Sequence, residues 1–431
     1  LAAVRVLEGN DAGSWTTPSA GQYPHLWNWD SALISLGWSH IDPGRAEREL
    51  EAILGAQWDN GMVPHVRYDP RRLGDYFPGP DCWPGAAAHA PRGVPTSGIS
   101  NPPVAVTAAR ILGERQPEPA RHAFWSRVLP GFARWLRYLA DGRTLDGCPL
   151  ITVVHPWESG WDNSPRWDLL RQAGLKPRRH VARQDREHVT AEERPEDRDY
   201  DAYLALIELI DETGYSLPRY RTVSPFLIND VFFDAVWYRA AEDLGAMALE
   251  LGSPAPISRA ELDEFASAFQ ERHWDPGAED YLDYDVVAAR RIRVPTPAGL
   301  AACLSGLIPD DRLRRIWDRY VADGHGLRPL WTLSPHHPEF DPRRYWRGPV
   351  WVQMNWLAAE GLERCGLHEQ ADAVRQSILA LVRQSGFREH YNPQDGSGGG
   401  ARSFSWSAAL TLEVLHRFGS GGETTEPESA F

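Results

Sequence analysis

The chain has 431 residues, a formal net charge of −14, 42% hydrophobic and 24% charged residues. That is room for one large domain or two or three ordinary ones, with a composition ordinary for a soluble globular protein. The acidic balance excludes a nucleic-acid binder and a protein drawn to anionic membrane surfaces, both of which carry a basic excess, yet a local arginine cluster could still hold a small anion. No run of apolar residues approaches the length of a membrane span.

In chain order, LWNWD (26–30) sets two indoles beside an acid. Leu50, Ile53 and Leu54 open a helical three- and four-residue spacing, QWDNGMVPH (57–65) interrupts it, and Leu129, Phe132, Trp135, Leu136 and Leu139 resume it as one apolar helix face. ITVV (151–154) is the best of few strand patterns, followed by ESGWDNSPRWD (158–168). Residues 171–199 are highly charged, which reads as a solvated loop or surface helix, or as a lid over a cleft. FLINDVFFD (226–234), YWRGPVWVQMNW (345–356), the helical stripe Val374, Ile378, Leu381, Val382, and REHYNPQDGSGGG (388–400) complete the pattern, and 419–431 read as a flexible tail. The chain is therefore expected to be mainly α, a single domain over 1–418. Its segments rich in Trp, Asp, Gly and Pro should gather on loops at one end of a ring of helical hairpins. No strict short repeat supports a helical solenoid.

Nineteen tryptophans exceed what a core of this size needs, and flat indole faces suit the C–H faces of sugars. Breaking a glycosidic bond takes a proton donor and either a nucleophile or a base, roles that two carboxyl groups fill. Asp162 sits amid Trp157, Trp161 and Trp167, with Gly160 and Pro165 shaping a turn. Apolar walls disfavour ionisation and suit a general acid, whereas the alternative is a cap on a helix starting near Ser164; Glu158 and Asp168 are rivals within the motif. Glu389 precedes a Gly-rich stretch that would let backbone approach a ligand, or is simply a helix end before a flexible loop. GSGGG lacks the Lys-Ser/Thr of a phosphate loop. Cys82, Cys148, Cys303 and Cys365 lie far apart and read as free thiols in a reducing, cytoplasmic compartment. HHPE (336–339) lacks the spacing of a helical zinc site, so neither metal nor cofactor is expected.

ESGWDNSPRW resembles a signature shared by trehalases and glycoside hydrolase family 63, and QWDNGMVPH resembles a second motif of theirs. YWRGPVWVQMNW and the EHYNP…FSWSAAL stretch resemble family 63 in particular, in order from Tyr23 to about Leu410. The resemblance implies an all-α (α/α)6 barrel and an inverting mechanism, with Asp162 as general acid and Glu389 as general base, their carboxyls about 6.5–9.5 Å apart. It implies substrate contacts from Tyr23, Trp27, Trp29, Asp30, Gln57, Tyr76, Trp157, Gly160, Arg198, Trp346, Arg347 and Trp351. Lacking room for a β-sandwich domain, the chain is most similar to the bacterial hydrolases of mannosylglycerate and glucosylglycerate. That implies a 2-O-α-glycosyl-D-glycerate split to hexose and glycerate. Its carboxylate would need cations or donors, for which Arg67, Tyr76, Arg198, Arg347 and the hydroxyls of 171–199 and 396–405 are candidates. Asn101 stands where such enzymes are expected to carry Gln, a shorter amide towards the aglycone. A trehalase or broad α-glucosidase would use the same two acids. A sugar epimerase or isomerase would rely on histidine, for which His155, His336 and His337 are available. A non-catalytic sugar-binding protein and a metal enzyme are more distant readings. The expected partner is a small sugar, without nucleic acid or membrane, in a chain free to form a homo-oligomer.

Overall fold

The structure is a computed structural model that describes residues 1–178, 183, 185, 189–323 and 330–419. Among these residues the chain forms fifteen α-helices: α1 (Ala2–Gly9), α2 (Asn28–Trp38), α3 (Pro43–Leu54), α4 (Val104–Glu114), α5 (Glu118–Gly142), α6 (Leu169–Ala173), α7 (Asp197–Glu212), α8 (Leu217–Tyr220), α9 (Val231–Glu250), α10 (Arg259–His273), α11 (Ala298–Ala301), α12 (Asp310–Asp323), α13 (Val352–Arg364), α14 (His368–Ser385) and α15 (Ser405–Gly419).

Burial sorts the helices into two layers. Every residue of α2 is buried, and so is nearly every residue of α13, the mark of helices with neighbours on all sides. By contrast α3 and α14 each bury one stripe and leave a charged face outward. The buried helices close a ring. α2 packs on α4, α4 on α9, and α9 on α11 with the 3-10 turn Ala302–Ser305; that turn packs on α13, α13 on α15, and α15 returns to α2. Around it α3 and α5 lean on α4, α10 on α9, α12 on α11, α14 on α13 and α15, and α1 on α15. The closure between α15 and α2 is tight because Gly37 lacks a side chain: a Cβ there would lie 2.5 Å from the Ala409 backbone. Asn10 ties the two ends of the chain, donating to the Ser403 carbonyl at 2.8 Å and to Ser405 Oγ at 2.9 Å.

The strands are short. β1 (Leu26–Trp27) pairs with β2 (Val66–Arg67). β3 (Thr152–Val153), the one strand the sequence pattern singles out, edges an antiparallel sheet of order β3-β4-β7-β8, with β4 Ile228–Asn229, β7 Tyr284–Asp285 and β8 Arg290–Arg291. β5 (Trp274–Asp275) pairs with β6 (Asp280–Tyr281), and β9 (Arg388–Tyr391) with β10 (Gly398–Arg402). Residues at the starts of α2, α13 and α15, with Asn101 just ahead of α4, line one cavity. All four cysteines are free, Cys303 buried and the others half-buried. No described helix is long and apolar enough to cross a membrane. Residues 420–431 of the expected tail lie outside the described residues.

Candidate active site

The ESGWDNSPRWD segment is anchored at almost every residue, and this fixes Asp162. Gly160 adopts φ +74°, and a Cβ there would strike the Trp29 ring at 2.5 Å. Trp161 stacks on Trp346 with centroids 5.1 Å apart, and Asn163 Oδ1 accepts the Trp346 N–H at 2.9 Å. Tyr203 donates to the Asp162 carbonyl at 2.8 Å. Arg166 lies buried between the faces of Trp161 and Trp167 and bonds Asp283 at 2.9 Å. The helix cap expected of Asp162 is instead made by Ser164, whose hydroxyl accepts the Arg166 N–H. The Asp162 side chain is left to face the cavity. Burial among indoles pushes its carboxyl up to about 8, with Arg194 opposing the rise and Glu389 adding to it.

The two rival acids are structural. Glu158 forms a buried pair with Arg143 and accepts the backbone N–H of Ser100 and Val154. Asp168 pairs with Arg347 and Arg171.

Glu389 lies on β9, which with β10 makes a hairpin rather than the expected end of a helix before a flexible loop. The glycines of β10 serve this carboxylate and its neighbours rather than a ligand. A Cβ on Gly400, at φ +64°, would lie 2.4 Å from Glu389 Oε2, and one on Gly399 would meet the His390 ring. Three donors converge on Glu389: the Tyr23 hydroxyl at 2.6 Å and Arg194 Nη1 at 3.3 Å on Oε1, and the Ala401 N–H at 2.8 Å on Oε2. An acceptor-only group met by three donors, one charged, is arranged as an ionised carboxylate.

Asp162 and Glu389 share one cavity. Tyr23, Trp27, Trp29, Asp30, Tyr76, Trp157, Gly160, Trp346 and Trp351 line it as well. Trp346 and Trp351 stack in parallel at 4.1 Å, and Trp27 meets Tyr76 edge to face at 5.0 Å. Burial, reinforced by Glu389 and Asp162, lifts the Asp30 carboxyl well above the usual carboxylate range.

Three of the expected contacts lie elsewhere. Gln57 does not reach the cavity: its amide donates to the Gly61 and Gly131 carbonyls at 2.9 and 2.8 Å and accepts from Arg134, stapling its loop to α5. Arg198 points outward and pairs with Glu196 at 2.7 Å. Arg347 is consumed by Asp168 and Glu339. Arg67 is likewise engaged, lying over the Trp15 ring and donating to the Ala52 carbonyl.

The cation of the cavity is Arg194, which the sequence reading passed over. Among the described residues it is the one arginine or lysine in the lining. It donates to the Tyr23 hydroxyl at 2.6 Å and lies over the Tyr345 ring at 4.8 Å. Tyr345, Tyr200, Asp185, His65, Asn101, Phe404 and Trp406 also line the cavity. Asp185, Arg194 and Pro195 come from the charged 171–199 stretch, so described parts of that stretch wall the cavity. Histidine chemistry finds little support here. His155 is locked by Trp157 and Tyr203 away from the lining, and burial lowers both His155 and His65 to about 3, leaving them neutral. Among the described residues no group of three His, Cys, Asp or Glu side chains could hold a metal.

A family model, the mannosylglycerate hydrolase MGH1-like glycoside hydrolase domain, matches residues 23–407. The chain is 39% identical to a mannosylglycerate hydrolase of Thermus thermophilus, over 96% of this chain and 99% of that protein. It is 36% identical to a glucosylglycerate hydrolase of Mycolicibacterium hassiacum, over 96% of each chain. In three dimensions it superposes on the crystal structure of a family 63 mannosylglycerate hydrolase from Thermus thermophilus in complex with Tris and D-glycerate, with a TM-score of 0.88 and 38% identity, covering 96% of this chain and 99% of that one.

Proposed function

The chain belongs to the mannosylglycerate hydrolase MGH1-like family of glycoside hydrolases, within family 63, and from that premise we propose that it hydrolyses 2-O-α-mannosyl-D-glycerate, 2-O-α-glucosyl-D-glycerate or both, with inversion at the anomeric carbon. The observation that carries the mechanism is the contrast between two carboxyls in one aromatic-walled cavity: Asp162 is kept protonated by apolar walls, and Glu389 is met by three donors. We read the closed helical ring and its outer layer as an (α/α)6 barrel, one catalytic domain over 1–418, with the 171–199 stretch, of which 179–182, 184 and 186–188 lie outside the described residues, as its lid.

In the reaction, Asp162 gives its proton to the glycosidic oxygen as the bond from that oxygen to C1 breaks. Glu389 takes a proton from a water that attacks C1 from the opposite face. The products are a β-hexose and glycerate, with Asp162 left as carboxylate and Glu389 protonated. Room for that water sets the two carboxyls about 6.5–9.5 Å apart. Trp29 offers an aromatic face to the sugar ring, the stacked Trp346 and Trp351 complete that wall, and Asp30, when ionised, accepts bonds from the sugar's hydroxyls. Arg194, with the hydroxyls of Tyr76 and Tyr200, faces the glycerate carboxylate, which a cavity otherwise lined with acids would repel.

A hydrolysis panel of mannosylglycerate, glucosylglycerate, trehalose and kojibiose, followed by NMR of the released anomer, tests this reading. Turnover of one or both glycosylglycerates, with β-hexose appearing first, is the expected result. Prompt α-hexose defeats inversion, and turnover of trehalose alone defeats the substrate assignment. The pH profile follows from the acid: kcat/KM should fall as pH rises through about 8, because the proton Asp162 must donate is then lost. Rates unchanged to pH 10 on the same substrate, about two units past that point, would remove Asp162 from the role.

A further inference from the structure

Each inverting turnover leaves its proton on the wrong carboxyl. Glu389 ends protonated and Asp162 ends ionised, and the next cycle cannot start until this is reversed. Glu389 is 1% exposed and backed by the glycines of β10 and by Arg194, so its proton can leave only into the cavity or along a neighbouring hydrogen bond.

Two phenols lie between the acids. Tyr23 donates its hydroxyl to Glu389 Oε1 at 2.6 Å. The Tyr23 and Tyr345 hydroxyl oxygens are 3.5 Å apart. Tyr345 lines the same cavity as Asp162, and each group acts on the other's ionisation. The two phenols therefore lead from the base towards the acid. Their geometry is held from outside. Arg194 fixes Tyr23 at 2.6 Å and covers the Tyr345 ring, while Trp351 and Trp346 meet the Tyr345 ring edge to face at 5.1 and 6.4 Å. Tyr345 also takes φ +40°, a left-handed backbone that a bulky residue adopts only when its surroundings impose it. The bond from Trp351 Nε1 to the Tyr345 carbonyl at 2.8 Å helps impose it.

We propose that Tyr23 and Tyr345 form a proton relay that resets the enzyme between turnovers, an inference that rests on the inverting reading above. After product forms, Glu389 passes its proton to the Tyr23 oxygen. Tyr23 releases its own hydroxyl proton to the Tyr345 oxygen, and Tyr345 releases its own to the Asp162 carboxylate. One proton leaves Glu389, one arrives on Asp162, and both phenols finish neutral. No oxidant, ion or outside acid is required. Both phenols suit the part, because burial raises each well above the ordinary tyrosine range and keeps the hydroxyl proton in place at rest.

The test is rapid-quench kinetics of Tyr345→Phe on whichever glycosylglycerate the wild type turns over. The first turnover needs only the proton already on Asp162, so it should proceed at nearly the wild-type rate and release one hexose per active site as a burst. Later turnovers should slow by about ten- to a hundredfold, so that kcat falls while kcat/KM holds. Raising the concentration of a small buffer acid such as imidazolium should restore the steady rate, a response that a purely structural role would not give. Tyr23→Phe breaks the other link but also strips a donor from Glu389, so its first turnover should slow too, with later turnovers slower still and restored by buffer; this covers the case of a Tyr345→Phe protein that does not fold. A first turnover slowed as much as the later ones, or steady turnover like wild type, overturns the relay. If wild type releases β-hexose and neither variant shows a burst, the relay alone fails; if wild type releases α-hexose, the inverting reading fails and the relay with it.

Discussion

Replacing either Asp162 or Glu389 with Ala should cut kcat by roughly 10²- to 10⁴-fold with folding intact, about 3–5 kcal/mol of barrier for each group lost. Both side chains end in the cavity, so the surrounding helices stay packed, although Glu389→Ala also strips the buried Arg194 of its ion pair and should lower stability. The two losses should differ in kind. Asp162 protonates the leaving oxygen, so the Asp162→Ala defect should shrink on an aryl α-hexoside whose phenol departs unaided. Glu389 activates water whatever the leaving group, so the Glu389→Ala defect should persist on that substrate. Steady-state rates on both substrates, with circular dichroism to check the fold, measure this. Near-normal turnover in either variant, or an equal defect on both substrates for both, would contradict the division of roles.

Glu158→Ala should do the reverse: stability lost, chemistry kept. The Glu158 carboxylate joins Arg143 after the end of α5, the Val154 N–H beside β3 and the Ser100 N–H ahead of α4. Glu158 is 1% exposed and Arg143 is 6% exposed, so truncation leaves a guanidinium buried without its counter-ion. Breaking such a pair from one side costs about 3–5 kcal/mol. Denaturant unfolding should show that loss, while kcat per correctly folded molecule stays within about tenfold of wild type, well short of the effect of losing a catalytic acid. Unchanged stability with abolished turnover would make Glu158, four residues from Asp162, the acid of the motif.

The parts of the fold legible in the sequence were its outer layer. The three helical stripes that stand out, Leu50–Leu54, Leu129–Leu139 and Val374–Val382, belong to α3, α5 and α14, which bury one face each. The ring inside them is made of helices such as α2, buried on every side, where no apolar stripe contrasts with a polar one. The β9–β10 hairpin was unreadable for a related reason. Its second strand begins Gly-Gly-Gly, which carries no alternation, and its glycines are explained only by Glu389 and His390 filling the space where side chains would be.

The aromatic and acidic lining was legible because Trp27, Trp29, Asp30, Asp162, Trp346 and Trp351 sit in dense, distinctive motifs. The polar residues were harder, because residue type does not name a partner. Arg347 stands in such a motif, yet Asp168 and Glu339 occupy it. Arg194 stands among many charges in 171–199, where nothing local distinguishes it from Arg198, four residues on and outward-facing. Tyr345 was within a quoted motif, but what singles it out is a backbone angle, and a sequence does not display one.

The parallel indoles of Trp346 and Trp351, continued by Trp161 on the far face of Trp346, have an optical consequence. Chromophores stacked at 4.1 Å mix their excited states, so this wall should dominate the near-ultraviolet dichroism of a protein with nineteen tryptophans. The molecule thereby carries its own spectroscopic gauge of whether the sugar-facing wall is assembled, readable in inactive variants without label or substrate.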